Sequence, residues 1–265
     1  MRYALLTLFL WGCMEAPQAP QLESPLLPPP ESTIIEGPGD GQVLMNPEAS
    51  FVWQGNHRFV TEFRYQLDGG GWSGWTGDRS AVFVLDEGGH IFELAGRIPP
   101  EGMDPGTEET TPDVRRFTVD AIEGPALWLK PRADLVLMRN GTGTIEIMAE
   151  DIGPIVLAHL VLQFDPQVVK INEVMVGDFW QSGEEGSIVV LGRRLGEGYE
   201  IDLSLVDASP REGSGAIVRL VFQGAGEGQT IIELMPDSEL RGISDSFDIV
   251  DLPLNETYQV NISVQ

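Results

Sequence analysis

No stretch of this 265-residue chain repeats its apolar residues at the helical period. Short runs alternate apolar and polar side chains instead, and Gly or Pro interrupts them. A strand turns successive side chains to opposite faces, so each run fits a half-buried strand. The 31 Gly and 19 Pro supply the turns, at roughly ten-residue spacing. The chain is therefore expected to be all-β. With 42% hydrophobic residues, cores form without disulfides or metals. The length gives room for about two domains.

Charge removes several partner classes. The chain holds 16 basic and 41 acidic residues, a formal net charge of −25. Nucleic-acid binding requires basic clusters against phosphate, so no nucleic-acid partner is expected. The folded part is equally unsuited to an anionic membrane surface. The acidity reads as a solvated surface; its sharper reading is calcium binding, but no twelve-residue EF-hand loop occurs.

The N-terminus reads as a secretory signal, with Arg2 as the charged region and Ala4 to Trp11 as the apolar region. That run is too short to span a bilayer, which takes ~20 residues. It ends in Leu10-Trp11-Gly12-Cys13, which resembles the lipobox of bacterial lipoproteins. The resemblance implies lipidation of Cys13, which becomes the first mature residue of an exported protein. Trp11 departs from the small residue usual there. Cys13 is the only cysteine, so no disulfide staples the mature chain. Residues 14–32 carry Pro17, Pro20, Pro25, Pro28, Pro29 and Pro30, an extended, semi-rigid tether. Membrane attachment by a lipid anchor at the cell envelope, with the folded part displayed at the surface, is the expected localisation.

Residues 33–120 form the first expected unit. Phe51 to Gln54, Glu62 to Leu67, Ala81 to Leu85, His90 to Arg97 and Arg115 to Asp120 read as strands, with Trp72 to Trp75 starting a return strand. Some seven strands suit an antiparallel sandwich. Three segments carry a resemblance to immunoglobulin-like or fibronectin-type-III-like modules of bacterial surface proteins. They are Tyr65-Gln66-Leu67-Asp68-Gly69-Gly70, Trp72-Ser73-Gly74-Trp75 and Leu85-Asp86-Glu87-Gly88-Gly89-His90-Ile91-Phe92. Such modules imply a spacer or adhesion unit. Residues 121–125 read as a hinge.

Residues 126–265 form the second unit. Asn140-Gly141 signals a hairpin between Leu135–Met138 and Thr144–Ala149. Apolar or alternating runs follow at 157–164, 168–171, 174–177, 187–191, 199–205, 216–222, 230–234 and 259–264. This half resembles a cohesin domain. The carriers are Leu160-Val161-Leu162-Gln163-Phe164-Asp165-Pro166 with Val168-Val169, then Val174 to Phe179, Gly213 to Phe222, and Gly228 to Leu234. The resemblance implies an all-β fold: an immunoglobulin-like β-sandwich followed by a nine-stranded jelly-roll, cohesin-like β-sandwich. It implies a protein partner, a calcium-binding dockerin module, with any calcium on the partner rather than held here as a cofactor. Pro166 ends its strand because it cannot donate to a ladder.

For cohesins that dock through a polar face, the resemblance places contacts on the strand before Phe-Asp-Pro. Those positions here are Leu157, His159, Val161 and Gln163, with Asp207 matching an acid before a glycine pair. Leu157 stands where a polar residue is usual, and His159 where an acid or amide is usual, which points to a different partner or a more apolar interface. Tryptophans offer a second reading, polysaccharide binding, since an exposed ring stacks on sugars. Trp72 and Trp75 fit cross-strand packing as well as stacking. Trp180, beside Asp178 and Phe179, reads as an exposed loop aromatic or as core. A third reading is a structural envelope protein without a ligand.

Catalytic chemistry has little in its favour. His57, His90 and His159 fall in separate strands, against a histidine metal site. There is no Gly-x-Ser-x-Gly elbow and no phosphate-cradling Gly-x-x-x-x-Gly-Lys loop. The acids supply many carboxylate pairs, but nothing marks two as sharing a cleft. The chain is expected to be non-enzymatic.

Overall fold

The computed structural model describes residues 28–181, 187–196, 198–206, 209–243, 249–252 and 259–265. Cys13 and most of the Pro-rich tether lie outside them.

Among the described residues, eight strands precede residue 120: β1 (Ser32–Glu36), β2 (Gln42–Leu44), β3 (Glu48–Gly55), β4 (Glu62–Leu67), β5 (Ser80–Val84), β6 (Gly88–Ile98), β7 (Thr107–Glu108) and β8 (Asp113–Val119). One sheet runs β1-β3-β5, the other β2-β8-β6-β4 with β7 on β6. Alternation does the sorting. Along β3, Ala49, Phe51 and Trp53 turn inward while Glu48, Ser50 and Gln54 face out. The inward residues meet Phe63, Phe92 and Phe117, and the rings of Phe51 and Phe92 stack at 3.9 Å. Each fully buried ring contributes about 1.5–3 kcal/mol of transfer free energy.

The expected return strand at Trp72–Trp75 is not one. Asp68, Gly69 and Gly71 take positive φ, and the chain then runs along β4 with a single bridge, Phe63 to Thr76. Arginines occupy the indole faces instead. Arg64 lies 4.9 Å from the Trp72 ring and 4.5 Å from Trp75, and Arg97 lies 4.4 Å from Trp75. The Ser73 amide donates to the Tyr65 carbonyl at 2.8 Å and the Ser73 hydroxyl accepts the Tyr65 amide at 3.0 Å, so hydrogen bonds to β4 and cation–π contact together hold the Trp-Ser-Gly-Trp segment.

The remaining strands are β9 (Ala126–Lys130), β10 (Leu135–Leu137), β11 (Thr142–Ile155), β12 (Leu157–Gln163), β13 (Val169–Val176), β14 (Ser187–Leu195), β15 (Gly198–Val206), β16 (Arg211–Gly224), β17 (Gly228–Leu234), β18 (Glu239–Ile243), β19 (Ile249–Leu252) and β20 (Gln259–Val264). The larger sheet runs β10-β20-β17-β12-β15-β14, with β18 also on β12 and β19 on β18; the smaller runs β13-β16-β11-β9. Between them lies a core that includes Leu129, Ile145, Leu160, Leu162, Ile201, Leu203, Leu220, Phe222 and Ile262. The all-β, two-sheet sandwich expectation is met.

Asn140-Gly141 is not a hairpin turn. Asn140 has φ of 62°, as that dipeptide favours, but β10 leaves it to pair in parallel with β20, while β11 joins the opposite sheet. The turn switches sheets, and tertiary pairing overrides the local signal. The runs at 168–171 and 174–177 are one strand, β13, broken by a register shift between Ile171 and Glu173.

Candidate functional site

The outward face of the larger sheet gathers four of the five sequence-predicted partner residues, Leu157, His159, Val161 and Gln163. Along β12, Ala158, Leu160 and Leu162 are fully buried, so Leu157, His159, Val161 and Gln163 share the opposite, solvent face. Antiparallel register arranges this face in transverse rows. Leu191, Asp202, His159 and Glu239 form one, and Val189, Ser204, Leu157 and Arg241 the next. On the other side lie Arg193, Glu200 and Val161, then Leu195, Gly198, Gln163 and Glu233.

Several polar groups on this face are engaged with one another. His159 Nδ1 donates to Asp202 Oδ1 at 2.6 Å. Arg193 pairs with Glu200, and Arg241 with Glu239. The Ser238 hydroxyl accepts the Val161 amide at 2.9 Å, fixing the approach of the segment before β18. An open groove of about 520 Å³ lies between these strands, lined by Leu157, His159, Asp202, Pro236, Asp237, Glu239 and Arg241. Such exposed pairs supply little net stability, typically about 0–1 kcal/mol each. They orient side chains on a rigid sheet.

Beside them stands an apolar row that sequence reasoning missed. Val189, Leu191 and Leu195 on β14 are 47%, 63% and 49% exposed. The run Ile188-Val189-Val190-Leu191 was a signal, since four successive apolar residues suit a strand covered on both faces. Here only Ile188 and Val190 pack against the core. Among the described residues β14 pairs only with β15, so it lies at the sheet edge. Exposed aliphatic side chains clustered beside polar ones mark a protein-contact surface more often than a catalytic one.

The other site residues fare differently. Asp207 lies outside the described residues, as does Cys13. The reading of Trp180 as an exposed glycan-stacking residue is corrected: it is 2% exposed, in a short 3-10 helix, Asp178–Gln181. Its indole N–H donates to the Ile217 carbonyl at 2.9 Å, and its ring meets Phe179 edge-on. Gly177 makes this burial possible, because a Cβ there would sit 1.9 Å from the Ala216 carbonyl oxygen. Trp72, at 37% exposure, is the more open tryptophan, and Arg64 stacks on it. Among the described residues no three His, Cys, Asp or Glu side chains converge as a metal-binding group.

No protein-family model matches the chain, and no curated protein sequence matches it. Several solved structures are similar. A non-cellulosomal cohesin from the hyperthermophilic archaeon Archaeoglobus fulgidus aligns at 11% identity and a TM-score of 0.41, over 53% of this chain and 90% of its own. The seventh ScaB type I cohesin of Pseudobacteroides cellulosolvens aligns at 15% identity and 0.40, over 53% and 91%. A type I cohesin–dockerin complex from Clostridium thermocellum aligns at 12% identity and 0.39, over 53% and 98%.

Proposed function

We propose that this chain is a non-catalytic protein-binding module whose contact surface is the outward face of β12, β14, β15 and β18. The observation that carries this reading is the exposed Val189, Leu191 and Leu195 row, set beside the His159–Asp202 pair on one continuous sheet. Apolar side chains would give the contact its burial energy, and the flanking polar groups its register. The partner in this reading is a dockerin module of another secreted protein, with calcium on that partner. Cys13 carries the lipid, the Pro-rich segment holds the module away from the membrane, and the protein is displayed at the bacterial cell surface.

Calorimetric titration of the full chain with dockerin modules from the same genome, with calcium and then with chelator, tests this. The expected result is calcium-dependent binding at micromolar affinity or tighter, about −8 kcal/mol or better. Absence of heat with every dockerin would contradict the partner assignment.

A further inference from the structure

The two sandwiches meet at a junction fastened from several sides. Glu87, in the turn between β5 and β6, divides its two carboxylate oxygens. Oε2 accepts the Ala121 amide of the connecting segment at 2.9 Å, and Oε1 meets Arg132 Nη2 at 2.7 Å. Neighbouring Asp86 accepts the Arg132 backbone amide through Oδ1 at 2.7 Å. The Asp86 carbonyl in turn accepts His90 Nε2–H at 2.9 Å, which ties this turn to the first sandwich. The ion pair is almost withdrawn from water, with side chains 11% exposed for Arg132 and 10% for Glu87.

The connecting segment is pinned independently. A Cβ on Gly124 would come within 2.4 Å of the Asp151 Cβ and 2.6 Å of the Glu150 carbonyl oxygen, so the backbone rests directly on β11. Ile122, Ala126 and Trp128 form a separate buried cluster with Met148 at the same place.

A buried ion pair is weak evidence for stability, but removing one partner strands the other charge. Here the stranded group has an easier relief than unfolding. Each sandwich keeps its own core, so parting at the junction would return Arg132 to water while both folds persist. We propose that the Asp86–Glu87 turn is a latch that holds the two sandwiches in one fixed orientation. Relative motion is the default for domains joined by a modest interface, and the latch overrides it. It presents the outward face of the larger sheet at a set angle to the first sandwich. Orientation fixed in advance lowers the ordering cost of docking. The latch does not depend on what that face binds.

Spin labels at exposed Ser80 and Thr142, in a Cys13→Ser background of the full chain, report the distance between sandwiches. Pulsed dipolar spectroscopy should give one narrow distribution when Glu87 is present. Glu87→Gln should broaden it at least twofold, and so should Arg132→Gln, which strands the opposite charge. Glu108→Gln, on the exposed pair with Arg64, should leave the width unchanged. Circular dichroism confirms retained strand content, and either junction variant suffices if the other does not fold. Equal widths throughout, or a broad distribution with Glu87 intact, would overturn the latch.

Discussion

Burial raises the Glu150 carboxyl above its ordinary value of 4.5; hydrogen bonding from Ser214 and the nearby Trp128 indole oppose the shift, and the Asp151 and Glu87 charges add to it. The Trp128 N–H does not reach hydrogen-bonding geometry, so its opposition is the lesser restraint. A raised value means that the folded chain holds the proton more tightly than the unfolded chain. The stability from this site is therefore fully present below 4.5 and lost as the pH rises through the raised value. Glu150→Gln should flatten that part of the stability profile and raise the melting temperature at pH 7, as calorimetric melts at several pH values would show. Glu109 is a fastening. Its Oε2 accepts the Ser32 amide at 3.0 Å, the Ser32 hydroxyl at 2.6 Å and the Gly96 amide at 2.7 Å, joining β1 to β6. Glu109→Ala should cost about 2–3 kcal/mol in chemical denaturation, since hydrogen bonds to a charged acceptor exceed neutral ones. Neither role is readable in sequence, where both residues are simply two of 41 acids.

At the scale of elements, the strands that announced themselves were those with strict alternation. Gln259 to Val264 is the clearest: its polar–apolar alternation gives the strand and its buried side, Val260, Ile262 and Val264. Strands held by partners rather than by pattern were missed. β1 and β2 are short, and β2 is fixed by parallel pairing with β8. β18 alternates through Glu239, Leu240, Arg241 and Gly242, too polar to stand out. The 3-10 turn at Trp180 was illegible for another reason. Its burial depends on contact with β16, more than thirty residues away in sequence. Trp180→Ala should destabilise the second sandwich by about 3–5 kcal/mol, as expected for emptying a buried aromatic site. A thermal melt reading only a small change would mean that the side chain is not core.

At the scale of the whole molecule, the sequence anticipated all-β sandwiches, because turn spacing and alternation are properties of the chain itself. The junction was not anticipated, because Glu87 and Arg132 lie 45 residues apart and carry no pattern. The proposed membrane attachment belongs to this scale too. Cys13→Ser should release the protein into the soluble fraction of expressing cells; protein still pelleting with membranes would contradict lipidation. The central claim, that the outward sheet face binds protein, is tested most directly by one paired titration. Leu191→Asp places a charge in the middle of the exposed row without touching the core. The intact chain should bind a dockerin module at micromolar affinity or better, and Leu191→Asp should weaken it at least tenfold, about 1.4 kcal/mol, with an unchanged melting temperature. Equal affinity for the two chains would place the contact elsewhere and contradict the account.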